Sequence, residues 1–171
     1  VTKAGMDPYL NITVGHYNAN TEHFKQLLDY SKQKKYKTLL NVAVPAGMWQ
    51  KMDDIICDDK DREYLRKIRK DYKNLVRNLW NPFDKNNEKI LGCTTVNRLY
   101  ITPIGDVLVC PYVHIKIGNI FKQSLQEIVK FGFSIKHFSE HSDLCLAGED
   151  KNFISKFMTK SGQSIFKPAL A

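Results

Sequence analysis

A chain of 171 residues suits one ordinary domain or two small ones, and 43% hydrophobic residues can bury a real core, which excludes disorder by composition. No apolar run approaches the roughly 18 residues of a membrane-spanning helix, and no apolar stretch follows the opening Val1 to Gly5, so the expectation is a cytoplasmic protein with no membrane segment and no secretory signal. The net charge of +8 suits acidic partners such as phosphate, nucleic acid or an acidic redox protein, but a basic helix on the solvent side gives the same number. The first residue is Val1 rather than Met, which reads as a fragment or a trimmed chain, with a start at Met6 as the other reading.

In chain order, Leu10 to Val14 alternates apolar and polar residues and predicts a strand. The loop Gly15-His16-Tyr17-Asn18 ends it, and Asn20 or Thr21 can cap a helix to about Lys35 with Phe24, Leu27 and Leu28 on its apolar stripe. Thr38 to Val44 is an almost continuous apolar run stopped by Pro45-Ala46-Gly47, as expected of a parallel strand covered on both faces. Residues 10–44 thus form a βαβ unit with a right-handed crossover. One such unit leaves both strands with an unpaired outer edge, so the sheet must continue upstream or be completed by another chain. Ligands of such sheets bind at the carboxyl ends of the strands, here Gly15–Asn18 and Pro45–Trp49, which makes His16 and Asn18 the candidate cofactor-binding residues. Residues 60–79 predict a helix whose buried stripe is Leu65, Ile68, Tyr72, Leu75, Val76 and Leu79, with Asp58, Asp59, Asp61 and Glu63 favourably placed at its start. Its basic face could bind phosphate; a solvated face is the simpler reading.

Asn81 to Asn87 has linker composition and divides the chain into 1–80 and 81–171. Beyond it, Tyr100–Thr102, a turn over Pro103-Ile104-Gly105-Asp106, and Val107–Val109 predict a hairpin. Gly118-Asn119-Ile120 reads as a turn. Ser124 with Glu127 has capping-box spacing for a helix through Leu125, Ile128 and Val129 to about Gly132. A short helix carries Phe153, Ile154, Phe157 and Met158, and the tail from Thr159 reads as loose. Tyr100, Tyr112 and Phe121 are assigned to the core of this region. No nucleic-acid recognition signature accompanies them, so nucleic acid is not the expected partner.

Chemistry concentrates in the cysteines. Cys57 follows Ile55-Ile56 and reads as a structural thiol. Cys93, Cys110 and Cys145 surround the hairpin, and in a cytosolic chain that arrangement favours metal over disulfide. Thiolate ligation of zinc or an iron–sulfur cluster stands against three ordinary buried thiols. The hairpin alone does not bring the thiols together. Cys110 falls roughly opposite Arg98, and Cys93 lies five residues earlier, so residues 93–97 must curl back. Three thiolates leave one coordination position, for which His114, His141, Glu149, Asp150, a residue from elsewhere or an exogenous ligand are candidates.

Cys93-x11-Gly105-x4-Cys110-Pro111, followed by Ile117-Gly118-Asn119-Ile120, Ser124-Leu125 and a later Cys145, resembles the SPASM/twitch domain at the C-terminal end of many radical S-adenosylmethionine (radical SAM) enzymes. The resemblance covers about residues 90–158. Residues 9–49 resemble, more weakly, the last βα units of that family's partial (β/α)6 barrel. The implied fold is α/β: the end of a truncated barrel over 1–80, then a small α+β SPASM/twitch domain over 81–171. The resemblance implies an auxiliary [4Fe–4S] cluster on Cys93, Cys110 and Cys145. For the full-length parent it implies S-adenosylmethionine, a second [4Fe–4S] cluster, a flavodoxin- or ferredoxin-type reductant, and hydrogen abstraction from a small-molecule or peptide substrate. The chain departs from the family in two ways. Gly148 stands where a further cysteine is usual, and no CxxxCxxC motif occurs, so this chain alone is not expected to generate a radical.

Overall fold

The structure, a computed structural model, describes residues 2–77, 93–158 and 169–170. Its first half is built on strand β1 (Tyr9–Val14), helix α1 (Glu22–Gln33) and strand β2 (Lys37–Val42). The two strands pair in parallel from Tyr9↔Lys37 to Val14↔Val42, and Thr21 caps α1 by accepting a hydrogen bond from the Phe24 N–H at 3.2 Å. This is the expected βαβ unit. Helix α2 (Asp59–Asp71) then leads into β3 (Leu75–Arg77), which pairs in parallel with β2 and gives the order β1-β2-β3. Ile12, Val14, Leu40 and Val42 on one face of the sheet pack against Phe24 and Leu28 of α1 and Leu65 and Ile68 of α2. Leu27, assigned to that stripe, is 40% exposed.

Two expectations change here. The helix predicted over 60–79 stops at Asp71, and Leu75 and Val76 belong to a strand. Asn74 redirects the chain: its amide donates to Ser31 Oγ at 3.0 Å and to the Tyr36 carbonyl at 2.9 Å, while its own carbonyl accepts from the Thr38 N–H at 3.0 Å. Adjacent apolar residues such as Leu75-Val76 satisfy a strand as readily as a helix, so periodicity did not separate the two. Leu79 lies outside the described residues, as does the predicted linker 81–87. The second change concerns β2. Its helix-side residues Thr38, Leu40 and Val42 are buried, whereas Lys37 is exposed and Leu39 and Asn41 are half-buried on the other face. There the Asn41 amide hydrogen-bonds Asn11 of β1. One face of the sheet is core and the other is polar, and no closed barrel is present among the described residues.

The second sheet has the order β4-β5-β6-β7, from β4 (Tyr100–Ile101), β5 (Asp106–Leu108), β6 (Ile115–Asn119) and β7 (Ala169–Leu170). The predicted hairpin is β4–β5, antiparallel with Tyr100 opposite Leu108 and Ile101 opposite Val107. Gly105 takes φ +80 at its tip, a left-handed conformation that glycine adopts at little cost. Gly118 and Asn119 prove to be strand residues of β6 rather than a turn. The tail prediction changes too: Ala169–Leu170 pairs in parallel with β6, while residues 159–168 lie outside the description. Helix α3 (Leu125–Ser134) carries the predicted capping box of Ser124 and Glu127. Ser124→Ala is expected to cost about 1 kcal/mol, read from urea denaturation. Short helices α4 (Lys136–Ser139) and α5 (Lys151–Phe153) follow, the latter running into a π-helical turn at Ile154–Met158.

The core of this half gathers Val107, Val109, Ile115, Ile117, Ile128 and Phe153, and Val44 from beyond β2 joins it. A smaller cluster of Ala43, Ile55, Ile56 and Ile154 links the two halves. The segment after β2 is therefore packed into both. Tyr100, Tyr112 and Phe121, expected in the core, are 36%, 49% and 76% exposed. Short strands and a glycine turn leave these rings at the sheet's periphery. No helix of the described residues is long and apolar enough to cross a membrane.

Candidate metal centre

Cys110 immediately follows Val109 at the end of the hairpin's second strand, and the chain turns sharply after it. Burial pushes the Cys110 thiol up, and the backbone N–H groups of Tyr112 and Val113 pull it the other way. The opposite arm curls back as the spacing required. The Arg98 N–H donates to the Thr94 carbonyl at 2.9 Å, and the Val96 N–H donates to the Val109 carbonyl at 3.1 Å. Val96 sits at φ +63, which is strained for a β-branched residue. Its methyl groups pack over Gly132 of α3, where an added Cβ would lie 3.0 Å from Val96 Cγ1. The curl ends at Cys93, whose N–H donates to the Ser142 carbonyl at 3.1 Å and whose sulfur is 3.0 Å from Thr95 Oγ1.

The third thiol arrives on the turn after α4. The Cys145 N–H donates to Glu149 Oε2 at 2.7 Å, and the Cys145 carbonyl accepts from the N–H groups of Gly148 and Glu149 at 3.1 and 2.8 Å. Burial holds the Cys145 thiol well above the usual range; Cys93, Cys110 and then Glu149 add to the effect, and the Ala147 N–H opposes it. Cys93, Cys110 and Cys145 line a single cavity of about 200 Å³, together with Asn41 and Val44 from the first half and Arg98 from the curl. The Cys110 and Cys145 thiols resist ionisation in the metal-free protein and must release protons to become ligands, so metal uptake here is coupled to pH.

The spacing of the sulfurs bears on what could sit between them. Among the described residues, the one His/Cys/Asp/Glu trio whose ligand atoms all lie within 4.8 Å of one another is His16, Asp58 and Asp61, so the three sulfurs are more widely spread. A single tetrahedral zinc, with Zn–S of about 2.3 Å, needs sulfurs about 3.8 Å apart. A multi-iron cluster places each thiolate on a different iron and suits a wider triangle. Backbone N–H groups pointed at ligating sulfurs are also a recognised means of tuning such clusters. The donor set fits an iron–sulfur cluster better than a single ion.

The candidates for the remaining coordination position separate clearly. His114 lines a neighbouring cavity with Pro45, Tyr112 and Phe157. His141 contacts Asp143 at 3.1 Å and lines a small cavity on the other side of Cys93. Asp150 caps α5 by accepting from the Phe153 N–H at 2.9 Å. Glu149 is buried against the Cys145 backbone, with Arg62 Nη1 of α2 at 3.9 Å. None of these four lines the three-cysteine cavity. At Gly148 an added Cβ would lie 2.9 Å from Val42 Cγ1 and 3.0 Å from the Ala43 carbonyl oxygen. Gly148→Cys is therefore expected to strain the contact with β2, costing about 1–3 kcal/mol, without supplying a fourth thiolate. Thermal denaturation of the variant and its iron content check the two parts.

His16 and Asn18 do not join this cavity. His16 Nδ1 lies 2.8 Å from Asp61 Oδ2, a contact that raises the imidazole pKa. Asp61 also closes the capping box of α2 with Asp58. Asn18 uses both ends of its amide within the loop: it accepts from the Gly15 N–H at 2.9 Å and donates to the Thr13 carbonyl at 3.0 Å. Cys57 is buried in the first core, where burial pushes its thiol up to about 12. Arg98 and Asn41 are cavity residues that sequence reading did not select. The hairpin register was the available signal for Arg98, since it placed that residue across from Cys110.

Three thiols on one cavity, with Cys93 and Cys145 tied by backbone hydrogen bonds, form a candidate thiolate metal centre held between a hairpin and a turn. Residues 93–146 match the family model of the SPASM iron-sulfur cluster-binding domain, which contains all three cysteines and supports an iron–sulfur cluster-binding module in this segment. No curated protein and no solved structure matches the chain.

Proposed function

We propose that Cys93, Cys110 and Cys145 hold a [4Fe–4S] cluster auxiliary to radical chemistry, and that the chain works as the C-terminal part of a radical S-adenosylmethionine enzyme. The observation that carries this reading is the convergence of three sequence-distant thiols on one cavity, within the segment that matches the iron-sulfur cluster-binding family model. When bound, such a cluster supplies one-electron transfer and, at an iron without a protein thiolate, a position for an exogenous ligand. The chain's own residues fix the Cys93 and Cys145 backbones and surround the thiols with apolar side chains that limit water. The proposed parent binds S-adenosylmethionine at a second [4Fe–4S] cluster and abstracts hydrogen from a small-molecule or peptide substrate through a 5′-deoxyadenosyl radical. A flavodoxin- or ferredoxin-type protein is the proposed reductant. Anaerobic reconstitution with iron and sulfide tests the cluster. About four irons and four sulfides per chain is the expected result; one zinc without sulfide would make the site structural and overturn it.

A further inference from the structure

Among the described residues that line the three-cysteine cavity, Arg98 is the one charged side chain and none is Asp or Glu. It is an exposed residue, so its guanidinium belongs to the rim rather than the floor. No hydrogen bond or ion pair holds that side chain among the described residues, whereas Arg62 is engaged by Asp59 and by the Cys57 carbonyl. Its backbone is fixed by the N–H bond to Thr94. The strand pairing ends at Tyr100 and Leu108, and just beyond it Arg98 and Cys110 line the same cavity. A cation is thus built next to a ligand position and left without a partner among the described residues.

Resting on the cluster reading above, we propose that this cavity takes a small carboxylate ligand, recognised by Arg98 and placed where none of the described side chains occupies the fourth coordination position. The argument is one of desolvation. Any ligand that fills the cavity covers part of the guanidinium, and covering a charge without pairing it is costly. A carboxylate offsets that cost through charge-assisted, bidentate hydrogen bonds. A cationic ligand would be repelled by Arg98 with no Asp or Glu among the described lining residues to receive it, and a neutral one would leave the guanidinium partly dehydrated without a bidentate partner. The cavity's volume of about 200 Å³ also restricts the ligand to a few heavy atoms beyond the metal centre.

The probes are L-lactate and its neutral isostere lactamide, titrated against the reconstituted, reduced protein and followed by the electron paramagnetic resonance spectrum of the cluster. Lactate is expected to perturb the spectrum with an affinity at least about tenfold above that of lactamide. Arg98→Ala should erase that preference at unchanged iron content, and Arg98→Lys should restore part of it. Equal responses to the two probes, or a preference that survives Arg98→Ala, would overturn the assignment while leaving the cluster intact. If Arg98→Ala weakens both probes alike, Arg98 only balances the charge of the thiolates, and the assignment again fails. Failure to take up iron and sulfide at all would remove the cluster reading and this inference together.

Discussion

Alanine at Cys145 is expected to abolish cluster retention, and alanine at Cys93 or Cys110 to do the same, while Cys57→Ala keeps full iron and sulfide. A site with three protein thiolates has none to spare. Removing an outer-shell partner of a metal ligand costs about 10–100-fold in affinity, and losing the ligand itself must cost more. Cys145 is the most informative of the three, because it lies on a turn of the second half that packs against the first half through Gly148 and Glu149. Alanine there leaves the Cys145 N–H bond to Glu149 available, so the fold of the turn survives and the loss reads on the metal alone. Cys57 makes the control demanding. It is more deeply buried than Cys93, at 1% against 9% exposed, so an effect of burial alone would predict the opposite ranking. Iron and sulfide analysis after gel filtration decides the point. Iron retained by Cys145→Ala, or lost by Cys57→Ala, would remove the three-thiolate assignment.

The parts of this molecule that could be read from its sequence are those where local chemistry decides. The β1–α1–β2 unit, the Thr21 and Ser124 caps and the hairpin each rest on a few neighbouring residues with one favoured conformation. The required curl of residues 93–97 followed from counting along that hairpin, and the structure supplies it at Val96. What escaped was set by partners distant in the chain. Leu75 and Val76 became a strand because Asn74 is captured by Ser31 and Tyr36, a contact no local pattern encodes. Gly118 and Asn119 carry turn chemistry, yet they are held in β6 by pairing with Val107 and Asp106. At the metal centre the three thiols were legible as a set, but their surroundings were not. Asn41 and Val44 reach the cavity from the other half, and Glu149 is drawn towards α2 instead of the cavity. Side chains that meet only in the tertiary structure leave no spacing to count.

Glu149→Gln is expected to stabilise the metal-free protein above neutral pH and to flatten its pH dependence. Burial pushes the Glu149 carboxyl from 4.5 up to about 7, against the lowering effects of the Cys145 N–H, Arg62 and Arg66. Arg62 does not rescue it, because 3.9 Å is too long for a hydrogen bond and Glu149 Oε1 is left without a hydrogen-bond partner. The groups facing the carboxyl are Arg62 and Arg66 from α2, Cys57 before that helix, and Cys145 on its own turn. A native carboxyl that titrates above its unfolded value binds more protons folded than unfolded across the interval between the two. Stability is therefore greatest below 4.5 and falls as pH rises through about 7. At 1.36 kcal/mol per pKa unit the full effect is about 3 kcal/mol, an order of magnitude for one buried group. Glutamine reproduces the protonated acid: its carbonyl still accepts from the Cys145 N–H, and it never ionises. The two proteins should then be nearly equal at about pH 4 and diverge by about 3 kcal/mol at about pH 8, with the variant the more stable. Urea denaturation of both across that range tests the expectation. Parallel curves would mean that water or a shift of Arg62 solvates the carboxylate, and that the turn carrying Cys145 is less tightly packed against α2 than the structure has it.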